Sequence, residues 1–125
     1  MTSKPLISIV IPTKNRKKYC LSAIDSILQI GSDKVQIVIQ DNSDTDDLKN
    51  QMPKIENEQI LKYQYIPEKL SFVENFNNAI ESADGQYICI IGDDDGINPE
   101  IIEATQWAKS KNIDCLVVNV EANYR

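Results

Sequence analysis

Three consecutive carboxylates, Asp93, Asp94 and Asp95, follow the apolar run Tyr87-Ile88-Cys89-Ile90-Ile91 with only Gly92 between. The run has the length and composition of a buried strand, and Gly92 is its break. Three adjacent acids at the C-terminal mouth of a strand repel one another. A divalent cation carrying a phosphate relieves that repulsion, because hard cations take oxygen ligands. The same residues also suit a solvated acidic turn ahead of a helix starting near Pro99, since a helix N-terminus favours negative charge.

Two further polar tips stand at comparable places. Thr13-Lys14-Asn15-Arg16 follows the apolar run Leu6 to Ile11, and Asp41-Asn42-Ser43-Asp44 follows Val35 to Ile39. A nucleoside diphosphate needs acceptors for its base and ribose and cations for its phosphates. Asp41 and its neighbours can accept from a base N–H or a ribose hydroxyl. Arg16 can pair with phosphate or stand solvated in the first turn of a helix. The aspartates can hold a metal that bridges two phosphates and stabilises a leaving diphosphate. The chemistry that suits this set is group transfer away from a diphosphate.

The elements that must position these tips alternate between the two periodicities. Leu6 to Ile11 reads as a strand buried on both faces and ended by Pro12. Cys20, Ile24, Ile27 and Leu28 recur at helical spacing, so Lys17 to Ile30 reads as an amphipathic helix stopped by Gly31. Val35 to Ile39 is a second buried strand. Asp44 to Asn57 is weakly helical at best, with a break at Pro53. Ile60 to Ile66 alternates Leu61, Tyr63 and Tyr65 with Lys62 and Gln64, the pattern of a strand near a sheet edge. Phe72, Phe76, Ala79, Ile80 and Ala83 mark a helix closed by Asp84-Gly85. Tyr87 to Ile91 is a buried strand, Pro99 to Ser110 a helix, and Asp114 to Val120 a final buried strand. Alternating strands and helices make a mostly parallel α/β sheet, whose ligands bind outside the C-terminal strand ends.

Composition narrows the chemistry. The 125 residues suit a single domain, with 42% hydrophobic and 26% charged residues in an ordinary globular balance. A net charge of −6 without a Lys/Arg run argues against a nucleic-acid surface. With no histidine, a His base, a Ser-His or Cys-His pair and a His metal ligand are all excluded within this sequence. A metal here would be oxygen-bound, such as Mg or Mn. Cys20, Cys89 and Cys115 lack metal or disulfide spacing, and Cys89 and Cys115 read as buried thiols within apolar runs. Asn77, between apolar helix positions, can contact a ligand or bond a neighbouring loop backbone. Trp107 reads as packing on the last helix. Residues Met1 to Pro5 show no signal peptide or membrane span, so a cytoplasmic protein is expected, at most peripheral at the inner membrane face.

The run Ser8-Ile9-Val10-Ile11-Pro12-Thr13-Lys14-Asn15-Arg16 resembles the opening strand of family-2 glycosyltransferases, which have the GT-A fold. Asp41-Asn42-Ser43-Asp44-Thr45-Asp46 resembles their nucleotide-binding acidic turn. Asn77-Asn78-Ala79-Ile80 and Ala83-Asp84-Gly85-Gln86-Tyr87-Ile88 are similar to their Asn-x-Gly-Ile and Ala-x-Gly-Glu-Tyr-Ile stretch. Gly92-Asp93-Asp94-Asp95 with Pro99 resembles their Asp-x-Asp metal motif and following proline. The four motifs appear in order from Leu6 to about Val120.

The resemblance implies a three-layer α/β/α domain around a Rossmann-like sheet. It implies transfer of a sugar from a nucleotide-diphosphate sugar, a UDP-sugar foremost, to an acceptor hydroxyl, with inversion and with Mg or Mn, in the making of cell-surface polysaccharide. The acceptor would be a sugar or a lipid-linked glycan. Pro12, Thr13 and Asn15 would line the nucleotide pocket, Asp41 would contact the base, and Asn42 and Ser43 would shape the turn. Asp93 and Asp94 would face ribose and diphosphate, and Asp94 or Asp95 would bind the metal. Lys14 stands where the family often has an aromatic residue, and Ser71 near where some members carry a basic one. Family members usually continue for another hundred residues or more, with the acceptor site and the general base. Residues 1–125 are therefore expected to be one nucleotide-sugar-binding domain, the donor half of the enzyme. No catalytic base is assigned; Glu100 and Glu121 are candidates by default.

Two other classes fit parts of the sequence. A non-catalytic nucleotide-sugar-binding module would keep the fold without turnover. A response-regulator-like phosphoacceptor also places acids at strand ends, but it needs an aspartate where the third strand ends Ile66-Pro67-Glu68 and a lysine that Asn119 to Arg125 does not offer.

Overall fold

Ile9, Val10 and Ile11 alternate in direction along one strand, yet all three are fully buried, so this strand is covered on both faces. It lies in the interior of a four-stranded sheet in the computed structural model, which describes residues 4–54 and 60–115. The elements follow in the order β1 (Ile7–Thr13), α1 (Lys17–Leu28), β2 (Val35–Asp41), a 3-10 turn (Asp47–Gln51), β3 (Leu61–Tyr65), α2 (Phe72–Glu81), β4 (Tyr87–Ile90) and α3 (Glu100–Ser110). The spatial order is β3-β2-β1-β4, and all three pairings are parallel. This is the expected mostly parallel α/β sheet, with β3 at an edge.

The two faces of the sheet differ. Ile7, Ile9 and Ile11 of β1 and Val35, Ile37 and Ile39 of β2 share a core with Cys20, Ala23, Ile24 and Ile27 of α1. Those helix positions are spaced by three and four residues, the stripe that one helix face presents. Ile101 and Ile102 of α3 pack against the same core. On the other face, Val10 and Val38 meet Ala79 of α2. Helices therefore cover both faces, giving three layers.

The face beneath α2 carries polar groups that the reading of doubly apolar strands did not foresee. Ser8, Gln36 and Gln40 are all buried there. Near the N-terminal ends of the strands, Ser8 Oγ donates to Gln36 Oε1 (2.6 Å) and accepts from the Gly85 N–H (2.8 Å). Gln36 Nε2 donates to Asp84 Oδ2 (2.8 Å), and the Asp84 N–H returns to Gln36 Oε1 (3.0 Å). A Cβ at Gly85 would stand 2.6 Å from both Ser8 N and Ser8 Oγ, which is why a glycine closes the turn into β4.

Several sequence expectations need correction. Pro12 does not end β1; the strand runs on to Thr13, with Pro12 opposite Gln40. The Val10 carbonyl accepts from Ile91 N on the β4 side, and the Thr13 carbonyl accepts from Asn42 N on the β2 side. Pro12, two residues past Val10, therefore turns its missing N–H toward β4, beyond the end of that strand. β4 is not a buried strand: Tyr87 and Cys89 on one face are half-buried, and Ile88 and Ile90 on the other are exposed. Among the cysteines it is Cys20 that is fully buried, while Cys89 is half-buried and Cys115 exposed. Trp107 is half exposed and not a packed anchor. Most of the strand expected over Asp114 to Val120, and Glu121, lie outside the described residues.

Candidate functional site

The chain leaves β1, builds β2 and β3 on one side, then crosses through α2 to place β4 on the other side of β1. The strand order thus reverses between β1 and β4. At such a point the loops leaving the C-terminal strand ends part in opposite directions and open a crevice, the usual ligand site of a parallel sheet. The residues at that crevice are Thr13 at the end of β1, Arg16 in the loop that follows, and Asp93, Asp94 and Asp95 after β4.

Asp93 is buried, at 5% exposure. Thr13 Oγ1 donates to its Oδ2 across the switch point (2.9 Å), and Arg16 Nε lies 3.2 Å from its Oδ1. Asp94 points outward, its side chain 52% exposed, with Arg16 Nη2 3.5 Å from its Oδ2. Asp95 turns back, accepting the Gly92 N–H on Oδ2 (3.1 Å). A charge as deeply placed as Asp93 requires a partner, and the hydroxyl and the guanidinium supply it. Cys20 lies beneath this corner. Burial pushes its thiol up to about 12, the Asp93 and Asp41 carboxylates adding to the effect and the Thr13 bond opposing it.

The second wall is the turn after β2. Asp41 is fully buried and its carboxylate is engaged from both sides. Its Oδ1 accepts from Ser43 N (3.0 Å) and Ser43 Oγ (2.5 Å), and its Oδ2 from Tyr63 Oη (2.6 Å). Burial, and then the bond to Asp41, raise the Tyr63 hydroxyl far above the ordinary tyrosine range. Tyr65 Oη donates to the Ser43 carbonyl (3.0 Å). Asn15, held at φ +56°, joins the first tip to this turn. Its N–H donates to Ser43 Oγ (2.7 Å), its amide donates to Asp44 Oδ2 (3.2 Å), and its Oδ1 accepts from Asp44 N (2.9 Å). Asn tolerates that left-handed backbone better than other non-glycine residues.

Asn42 is spent internally. Its amide donates to the carbonyls of Ile66 (2.8 Å) and Glu68 (2.7 Å), and its Oδ1 accepts from Leu70 N (3.1 Å). It anchors the β3–α2 connection just ahead of Ser71, whose side chain and Glu74 form a reciprocal cap on α2.

The structure therefore gathers Pro12, Thr13, Asn15, Arg16, Asp41, Asn42, Ser43, Asp93, Asp94 and Asp95 at one edge of the sheet. Asn77 is apart from them in kind: it is exposed on α2, and Asn75 is the asparagine that faces inward. Tyr63 and Tyr65 were legible as one face of a strand, but their hydroxyl bonds to the acidic turn were not. Gln40 was missed as well. It is fully buried beside Pro12, and among the described residues neither end of its amide has a partner.

The donor set is carboxylate and hydroxyl oxygen, without imidazole, which fits a hard divalent cation. Among the described residues no three acidic or thiol groups converge into a protein cage. One or two carboxylates at the crevice suit a cation whose other ligands are phosphate and water.

Comparison with known proteins agrees with this geometry. Glycosyl transferase family 2 matches residues 8–124. A Bacillus subtilis protein named for teichuronic acid biosynthesis, glycosyltransferase TuaG, is 28% identical over 111 residues, covering 86% of this chain and 39% of its own length. The GalNAc(5)-diNAcBac-PP-undecaprenol beta-1,3-glucosyltransferase of Campylobacter jejuni is 27% identical over 96 residues, covering 73% of this chain and 30% of its own length. Glycosyltransferase GlyG of Streptococcus pneumoniae is 27% identical over 118 residues, covering 91% and 38%. The chain thus spans under two-fifths of the length of these relatives. The match spans both walls of the crevice and the acidic corner, and on its extent the chain belongs to glycosyl transferase family 2.

Proposed function

We propose that this chain carries the donor site of a glycosyltransferase, binding a nucleotide-diphosphate sugar across the crevice between β1 and β4. The observation that supports this most is the corner where Thr13 and Arg16 meet Asp93 and Asp94 at the reversal of strand order. Base and ribose would lie toward the Asn15–Ser43–Asp44 wall. Asp41 shapes that wall, since its buried carboxylate is already committed to Ser43 and Tyr63. The diphosphate would lie toward Arg16 and Asp94.

Mg or Mn, when bound, would neutralise charge on the departing diphosphate. Asp94, the exposed acid, is the first candidate to hold it, with Asp95 beside it. Thr13 fixes the orientation of Asp93, and the Asn15–Asp44 pair fixes the distance between the two walls. We assign the donor to the UDP-sugars and the transfer to inversion at the sugar, on family grounds. The acceptor is read as a sugar or lipid-linked glycan in the making of cell-surface polysaccharide; the Campylobacter relative's name describes a glycan carried on PP-undecaprenol. Residues 1–125 are read as a single donor-binding domain, with the acceptor site and base contributed by sequence equivalent to the rest of the relatives. Among the described residues no helix is long and apolar enough to cross a membrane, and a cytoplasmic setting, peripheral to the inner membrane face, is part of this proposal.

Calorimetry with UDP, GDP and dTDP, each with Mn and with a chelator, tests the donor site. UDP is expected to bind in the presence of Mn and to weaken on chelation; affinity indifferent to the chelator would remove the metal from the proposal. Mass spectrometry of nucleotide sugars incubated with simple sugar acceptors then tests turnover. The 125 residues are expected to bind nucleotide with little glycoside formed, any activity being mainly slow donor hydrolysis, because water enters a site that the acceptor side does not close. Robust glycoside product would place an acceptor site and base within this chain.

A further inference from the structure

Arg16 occupies an unusual position for a residue expected to serve an incoming phosphate. Its guanidinium lies against two carboxylates of the acidic corner at once, 3.2 Å from Asp93 and 3.5 Å from Asp94. Its central carbon sits 4.5 Å from the Tyr19 ring centroid, over a π face that favours a cation. The side chain is nonetheless 45% exposed, so water is available to it if it leaves. Asp93, by contrast, is buried and pinned by Thr13, and it stays where it is.

We infer that Arg16 is a resident counter-ion of the acidic corner, which a divalent cation must displace from Asp94. A divalent cation on either oxygen of Asp94 would stand close to the guanidinium on Oδ2, and two like charges so near repel strongly. In the free protein the guanidinium holds Asp94 and keeps divalent-cation affinity low. A diphosphate changes the balance in two ways: it brings oxygen ligands to the cation, and it gives the guanidinium another anion to pair with. Cation and diphosphate then bind cooperatively, and by linkage each raises the affinity of the other by the same factor.

This inference rests on the donor-site reading, and the experiment separates the two. Mn binding to the protein is followed by the electron paramagnetic resonance signal of free Mn, without nucleotide and then with UDP. Arg16→Gln should bind Mn alone about two- to fivefold more tightly than wild type, the size expected for removing one partly exposed ion-pair partner. The ratio of Mn affinity with UDP to that without should shrink in the variant. Lys109→Gln, which changes net charge equally at an exposed site on α3, should leave Mn affinity unchanged, and Asp94→Asn added to Arg16→Gln should abolish the gain. Mn affinity in Arg16→Gln that is equal to or weaker than wild type, undetectable in both, or matched by Lys109→Gln, overturns the inference. If Arg16→Gln tightens Mn alone while UDP binds neither protein, the counter-ion role stands and the donor reading falls.

Discussion

At both ends of the sheet a carboxylate meets a cation, and the two meetings have opposite characters. At the N-terminal ends, Asp84 accepts from Gln36 and lies 3.4 Å from Lys62, whose ammonium also donates to the Ser82 carbonyl (3.0 Å). The Gln36 amide is bonded at both of its ends, and Ser8 links it to the Gly85 backbone. At the C-terminal ends, Asp94 is as exposed as Asp84 but among the described residues has only Arg16 beside it, at 3.5 Å, and Gln40 Nε2, Gln40 Oε1 and Asn75 Oδ1 are buried without partners. Each such orphan costs about 1–3 kcal/mol. One end spends its polar groups on itself and locks the crossing into β4. The other commits Asn15, Asp41 and Asn42 to its own loops and leaves Asp94 open to a further partner.

The comparison can be broken most directly at Asp94. Asp94→Ala should lower Mn-dependent UDP affinity by about 10- to 100-fold, the range for losing a metal-site interaction, with little change in melting temperature. A large melting shift with affinity intact would reverse the roles of the two ends. Gly85→Ala should do the opposite. The added Cβ meets Ser8 backbone at 2.6 Å, so stability should fall by about 2 kcal/mol, as for overpacking, measured by urea unfolding. Affinity in the folded fraction should hold.

Thr13→Val sharpens the contrast, because it removes a donor from buried Asp93. A loss of about 1 kcal/mol together with weaker UDP binding would show that this bond serves both fold and site. The smallest effect is a pH dependence. Hydrogen bonding from Gln36, then Lys62, holds the Asp84 carboxyl below its ordinary value. A depressed folded value stabilises the protein above the unfolded carboxylate pKa, and that contribution is lost as pH falls through the folded one. Asp84→Asn should therefore flatten the acid limb of the stability profile slightly; an unchanged limb would leave the network without an electrostatic share.

The sequence showed the C-terminal edge better than it showed the N-terminal one. Polar tips after apolar runs are local patterns, so Thr13, Asp41 and the aspartates were legible as a set. The Ser8–Gln36–Asp84 network was not, because single polar residues inside apolar strands look like interruptions until the covering helix is known. Their spacing held a signal: Gln36 and Gln40 are separated by four, which puts them on the same face of β2. The partner of Arg16 was illegible for another reason. It lies 77 positions away, and nothing local distinguishes a guanidinium bound to an acid from one awaiting a phosphate. Asp41 was recognised by residue type, but its burial depends on Tyr63, which arrives from β3.

The Thr13–Asp93 bond joins residues 80 apart in sequence, and the chain between them contains α1, β2, the 3-10 turn, β3, α2 and β4. Closing so long a loop carries an entropic cost that must be met before the contact returns anything. The crevice therefore cannot exist in a chain that has made only its first two strands. It is completed when β4 docks on β1, late in any assembly that begins with neighbouring strands. A ligand that needs both walls binds only the finished fold, and it resists unfolding by an amount that grows with its concentration relative to Kd. During synthesis the same geometry keeps the crevice unformed until residue 95 has emerged, so a nascent or clipped fragment offers no such site.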